Sequence, residues 1–160
     1  MAKVRIQGDK LKDIIKKDTV FVCIGSNNHI NDSFAPMVGS MLKEANISNK
    51  VYGTLEEPIN GLNYIEETLR ITREYDSKNI LSIDACLGDA KDIGTINVIK
   101  GTGIVPRNCC GDIIRIEVGS NCIKGITTHD VRTRINNKKD KELVKKMAEK
   151  TVEEILKYLK

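Results

Sequence analysis

Two segments of the chain read as strands that are apolar on both faces. Residues 19–25 (TVFVCIG) and 79–86 (NILSIDAC) are nearly continuous apolar runs, rich in β-branched side chains and bounded by turn formers. A strand without polar alternation belongs in the middle of a parallel sheet, where helices cover both sides. Between the two runs the spacing predicts a helix over 35–45, a short strand over 50–53 and a second helix over 61–75. Leu62, Ile65 and Leu69 form the inward stripe of that second helix. Strand, helix, strand, helix, strand in this order predicts βαβ units and a doubly wound sheet.

The flanks extend the pattern. Residues 8–17 predict a short helix with Leu11, Ile14 and Ile15 inward. After Asp84 the chain turns strand-like over 93–100 (IGTINVIK), 112–118 (DIIRIEV) and 121–127 (NCIKGIT). Only Gly119 and Ser120 separate the last two, a hairpin spacing that predicts an antiparallel portion. A final helix over 139–159 carries Leu143, Val144, Met147, Ala148, Val152, Ile155, Leu156 and Leu159 along one stripe. No repeat, linker or low-complexity stretch divides residues 1–160, so a single α/β domain with a mostly parallel, mixed sheet is expected.

Composition narrows the classes. With 160 residues, 40% of them apolar, the chain can bury a core without metal or disulfide support. There is no Trp, so the core must rest on Ile, Val, Leu and Met. No apolar run approaches a membrane span, and the first 17 residues lack the apolar stretch of a secretory signal, so a cytoplasmic location without membrane contact is expected. Cys23, Cys86, Cys109, Cys110 and Cys122 are odd in number and follow no CxxC spacing, which points to free thiols rather than disulfides or structural zinc. The net charge of +4 is mostly local: residues 137–160 hold eight Lys against five acids. Their signs alternate along an amphipathic helix, a solvated face rather than a nucleic-acid footprint.

The chemistry sits at strand ends. Ligands of open parallel sheets bind beyond the carboxyl ends of the strands, where connections diverge to opposite faces. Asp32 lies in the loop after the first long strand, and Asp84 ends the other. Two carboxylates facing one crevice can divide acid from base, because repulsion and burial separate their proton affinities. The structural alternatives are a helix cap for Asp32 and a partner for loop amides in Asp84. Gly25 permits a sharp exit from the strand and would place an amide near Asp32. His29, on the same loop, and His129, after the last strand, are metal-ligand types or plain surface residues. Cys86 with His129 gives a nucleophile–base alternative. Gly101-Thr102-Gly103 reads as a tight turn more readily than as a phosphate loop.

Residues 23–36 (CIGSNNHINDSFAP) resemble the G-x-G-N…D-(A/S)-L-G-P segment of germination protease and of the related sporulation protein YyaC family. Residues 81–88 (LSIDACLG) resemble the I-D-A that carries the second aspartate of that group, and 51–58 (VYGTLEEP) is similar to the Y-G-T-L-(D/E)-x-P of the YyaC proteins. Hydrogenase-maturation endopeptidases share the same skeleton. The resemblance covers roughly residues 19–118. Ala35 departs from it where a glycine usually precedes the proline, and Ser26 stands where G-x-G-N has its Asn.

The resemblance implies a three-layer α/β/α sandwich of the phosphorylase/hydrolase type. It implies a protein or peptide substrate, Asp32 and Asp84 as the catalytic pair, and Gly25 and Asn27 on the substrate side. It places the chain in the cytoplasm of a sporulating cell. The resemblance to the hydrogenase-maturation endopeptidases implies an alternative in which His29, Asp32 and Asp84 hold nickel or another divalent metal; otherwise no cofactor is expected. Three functions stay open on this footing: a sporulation-associated peptidase, a peptide-binding or regulatory protein on the same fold, and a metal-dependent maturation endopeptidase.

Overall fold

The computed structural model describes residues 3–105, 117–129 and 138–159. In chain order these form β1 (Arg5–Ile6), β2 (Val20–Ile24), α1 (Phe34–Glu44), β3 (Val51–Tyr52), α2 (Tyr64–Glu74), β4 (Ile80–Leu87), β5 (Thr95–Lys100), β6 (Asn121–Thr128) and α3 (Lys138–Lys157). Short 3-10 helices stand between them, including one over Gly8–Asp13 and one over Ile30–Asp32.

One six-stranded sheet has the order β1-β5-β6-β4-β2-β3. β6, β4, β2 and β3 run parallel, while β5 runs antiparallel to β6 and carries β1 in parallel on its outer side. Successive side chains of a strand go to opposite faces, so each apolar run splits between two cores. Phe21, Cys23, Leu81, Ile83 and Ile123 join α1 and α3 in the first. Val20, Val22, Ile24, Ile80 and Cys122 join Tyr64 and Ile71 of α2 in the second. The result is the expected three-layer α/β/α sandwich. Each fully buried Ile, Leu or Phe in these layers is worth about 1.5–3 kcal/mol against exposure, so the continuous runs of β2 and β4 anchor the fold.

The chain leaves β2 through α1 to the edge strand β3, then returns through α2 to β4 on the opposite flank of β2. The connections therefore diverge between β2 and β4, and a crevice opens beyond their carboxyl ends.

Three expectations need correcting. The second helix begins at Tyr64 rather than near residue 61, because Asn60 and Asn63 build a turn ahead of it: the Asn60 amide donates to Asn63 Oδ1 (2.8 Å) and the Leu62 amide to Asn60 Oδ1 (3.0 Å). Its buried stripe is Tyr64, Thr68 and Ile71, and Leu62 is left 98% exposed. The antiparallel partner of β6 is β5, in register from Ile96↔Gly125 to Lys100↔Asn121. Of the strand expected over 112–118, residues 112–116 lie outside the described residues, as do Cys109 and Cys110, and Val118 makes one bridge to Ile104. The segment over 8–17 is a 3-10 helix ending at Asp13, although Leu11, Ile14 and Ile15 are buried as expected.

Candidate functional site

Asp84 is not the last residue of its strand, since β4 continues to Leu87. It is, however, the end of the pairing with β2: its register partner there is Ile24, the final residue of that strand. On the other side it faces Lys124 of β6. Ile80, Ser82 and Asp84 alternate onto the α2 face, so the carboxyl group enters the layer that α2 only partly covers. Above it, the crevice of about 490 Å³ is lined by Asp32, Asp84, Lys124, Asn31, Tyr64 and Cys86 among others.

The Asp32 loop is folded back over the end of β2 and fastened from several sides. Ser26 donates its amide to the Asp32 carbonyl (3.0 Å), Asp32 donates its own to the His29 carbonyl (3.1 Å), and Thr127 Oγ1 of β6 donates to the Asn31 carbonyl (2.7 Å). Gly25 makes the fold-back sterically feasible, because a β-carbon there would run into the Asp32 carbonyl oxygen and the Pro36 ring. The Gly25 amide itself is taken by the Ile59 carbonyl (2.9 Å), so the amide beside Asp32 is that of Ser26. Asn27 is exposed and bonds the Leu55 carbonyl through Nδ2 (3.0 Å), a tie between loops. The VYGTLEEP segment is similarly structural. Leu55 donates its amide to Ser40 Oγ of α1 (2.9 Å) and Glu57 donates to Thr54 Oγ1 (3.0 Å), which carries Ile59 into a bridge with Ile24 and places Asn60 and Gly61 on the crevice wall.

The helix-cap alternative for Asp32 fails. The cap position of α1 is Ser33, with no side-chain capping bond, and its hydroxyl goes to the Ile30 carbonyl (2.7 Å). Burial raises the proton affinity of the Asp32 carboxyl, while the nearby His29 and the Ser26 amide work against that rise. Asp84 is the deeper group. Burial first, and the Asp32 charge second, push its pKa up to about 8, with the Ala85 amide and Lys124 pulling the other way. Burial and the Asp32 charge therefore favour the protonated form of Asp84 at neutral pH, and burial raises the proton affinity of Asp32 to a degree that His29 and the Ser26 amide oppose.

His129 is exposed beyond β6, and burial pushes the Cys86 thiol up, against the thiolate that a Cys/His nucleophile needs. The Gly103 amide donates to the Glu117 carboxylate (2.7 Å), so the Gly101–Gly103 turn already holds an anion of the protein's own. His29 stands near Asp32, but among the described residues no group of three or more His, Cys, Asp or Glu side chains is placed to hold a metal ion. A larger hollow of about 900 Å³ runs along the β3 edge, but its acids, Glu57 and Glu67, are exposed or paired with Arg70 (2.6 Å).

Three features escaped the sequence reading. Lys124 is half-buried in the crevice with no hydrogen bond or ion pair among the described residues. Asn31 presents a buried Oδ1 with no partner among them. Of the exposed large apolar side chains of the described residues, Leu87 and Val105 line this crevice, while Leu62 only follows the lining residue Gly61 in sequence.

Comparison with known proteins bears on the family and the fold. The chain is 32% identical over 97 residues to the uncharacterized protein YyaC of Bacillus subtilis (strain 168). That match covers 60% of this chain and 47% of the other, so the chain spans about half the length of this relative. The structure of a NiFe hydrogenase maturation protease, HycI, from Thermococcus kodakarensis KOD1 superposes with a TM-score of 0.55 at 17% identity, covering 92% of this chain and 99% of that one. At that identity the likeness is one of fold. No helix among the described residues is long and apolar enough to cross a membrane. Residues 4–154 match the family described as protein of unknown function (DUF1256), and the chain belongs to that family.

Proposed function

We propose that the protein is a peptidase-like hydrolase in which Asp32 is the general base and Asp84 the general acid for cleavage of a peptide bond. The observation that carries this reading is the meeting of two carboxylates in one crevice at the switch point between β2 and β4, with Asp84 the more deeply buried of the two. Neither is used up as a helix cap or ion pair among the described residues. A peptide lying in the crevice would bring its carbonyl between them. Ionised Asp32 takes a proton from water as the water oxygen bonds to the carbonyl carbon. As the resulting intermediate collapses, the C–N bond breaks and Asp84 gives its proton to the leaving nitrogen. A proton passed from Asp32 to Asp84 resets the pair. Asn31 Oδ1 is an acceptor suited to a substrate N–H, and the exposed Leu87 and Val105 in the crevice lining suit a peptide with large apolar side chains. The resemblance of residues 23–36, 51–58 and 81–88 to sporulation-protein segments is what points this activity to sporulating cells.

The test is cleavage. Extracts of sporulating cells are incubated with wild type, Asp32→Asn or Asp84→Asn, and new peptide N-termini are labelled and counted. Wild type should generate a defined set of termini that both variants lose. Termini unchanged in either variant would refute the pair. A partner captured by wild type and left uncut would show a peptide-binding protein on the same fold.

A further inference from the structure

We infer that Lys124 is the electrophilic group of this site, holding the oxygen of the scissile carbonyl as it becomes anionic. The inference rests on the hydrolytic reading above and adds a role to the one charged side chain that reading leaves idle. Lys124 is unusual for its place. β6 is buried along most of its length, with Cys122, Ile123, Gly125, Ile126, Thr127 and Thr128 all enclosed, and a lysine in its middle is costly unless its charge is used. Strand alternation puts it on the α2 face, and its register partner on β4 is Asp84. It lines the same crevice as Asp32 and Asp84.

Its electrostatic surroundings explain why the charge is available. The groups facing it are Asp84, Cys86 and Cys122, and burial holds all three protonated. Nothing anionic on β4 or β6 neutralises the ammonium, and the other carboxylate of the crevice, Asp32, lies on the loop above. A half-buried cation next to a neutral acid is a standing site for a negative charge that appears only during reaction.

The step balances without further reagents. When water adds under Asp32, the carbonyl π electrons move onto oxygen, and the ammonium of Lys124 neutralises that charge by hydrogen bonding without giving up a proton. When the C–N bond breaks, the electrons return to re-form the carbonyl, and Asp84 protonates the departing amine. Asp84 is then itself an anion, and Lys124, in register beside it, stabilises that carboxylate until Asp32 returns the proton.

The experiment compares Lys124→Met and Lys124→Arg in the full chain. Two readouts are taken: steady-state cleavage of a peptide carrying a bond identified by terminal labelling, and the Asp84 titration midpoint by carbon NMR. The Met variant should lose about 10²–10³-fold in kcat with little change in KM, the loss typical for one oxyanion donor, and the Arg variant should recover most of it. The Asp84 midpoint should rise in the Met variant and return in the Arg variant. Wild-type kcat in Lys124→Met, a loss confined to KM, or an unmoved midpoint would overturn the assignment while leaving the aspartate pair standing. A midpoint that rises in Lys124→Met as expected, while wild type cleaves nothing, would overturn the hydrolytic reading, and the role of Lys124 with it.

Discussion

Replacing Asp84 with Asn should make the protein more stable at alkaline pH and change how stability depends on pH. Asn keeps the size of the side chain, an oxygen for the Ala85 amide, and the neutrality of the protonated acid. In the wild type the folded pKa is about 8, whereas the unfolded chain should ionise near 3.9. Between those values the native state binds a proton that the unfolded state has released, so this group's contribution is fully present below about pH 4 and is lost as pH rises towards 8. Four pH units at about 1.36 kcal/mol each set a ceiling of roughly 5 kcal/mol on the loss. The effect is isolated by subtraction. All other carboxylates titrate in both proteins, and Asp32 sees a neutral neighbour in both until Asp84 ionises. The assay is urea unfolding of wild type and variant at unit steps from pH 5 to pH 9. The gap should be smallest at pH 5, about 1.5 kcal/mol, and widen with each step towards pH 8. By pH 8 the variant's midpoint should lie more than about 1 M above wild type, given a slope of about 2 kcal/mol per molar. Parallel curves, or a variant that loses ground as pH rises, would refute the burial and coupling assigned to Asp84.

The remaining predictions touch the loop, the rim and the thiol. Gly25→Ala should cost about 1–3 kcal/mol in urea unfolding and abolish cleavage, because its β-carbon displaces the Asp32 carbonyl or the Pro36 ring. Leu87→Ser together with Val105→Ser should leave stability within about 0.5 kcal/mol in the same assay, since neither side chain is buried, yet raise KM for apolar peptides in steady-state cleavage. Cys86→Ser should retain wild-type cleavage, and the wild-type thiol should react slowly with iodoacetamide at pH 7, since burial keeps it protonated.

The strands and helices that carry the site were legible because their signals are local. The β-branched runs ending near Gly25 and Asp84 had no other home than central parallel strands, and the apolar stripe of the last helix from Leu143 to Ile155 is buried as its period requires. What escaped depended on partners distant in sequence. Pairing of β5 with β6 is set by register between residues about 25 apart, while the Gly119-Ser120 spacing offered a nearer, misleading partner. Leu62 fitted a helical stripe, but the side chains of Asn60 and Asn63 delay the helix and turn it outward. Lys124 left a faint signal, a charge breaking the apolar run NCIKGIT, whose meaning required knowing that Asp84 lies across from it. Gly25 was correctly expected at a sharp exit, but the amide that reaches the Asp32 loop is its neighbour's.

The central claim is that Asp32 and Asp84 face one another closely enough to split into base and acid. Its most direct measurement is the carboxyl-carbon NMR titration of Asp84 in wild type and in Asp32→Asn. The account predicts a wild-type midpoint near 8 that falls when the Asp32 charge is removed, burial alone then holding it above the ordinary carboxylate range. An Asp84 that titrates near 4, or one whose midpoint ignores the loss of Asp32, would contradict it.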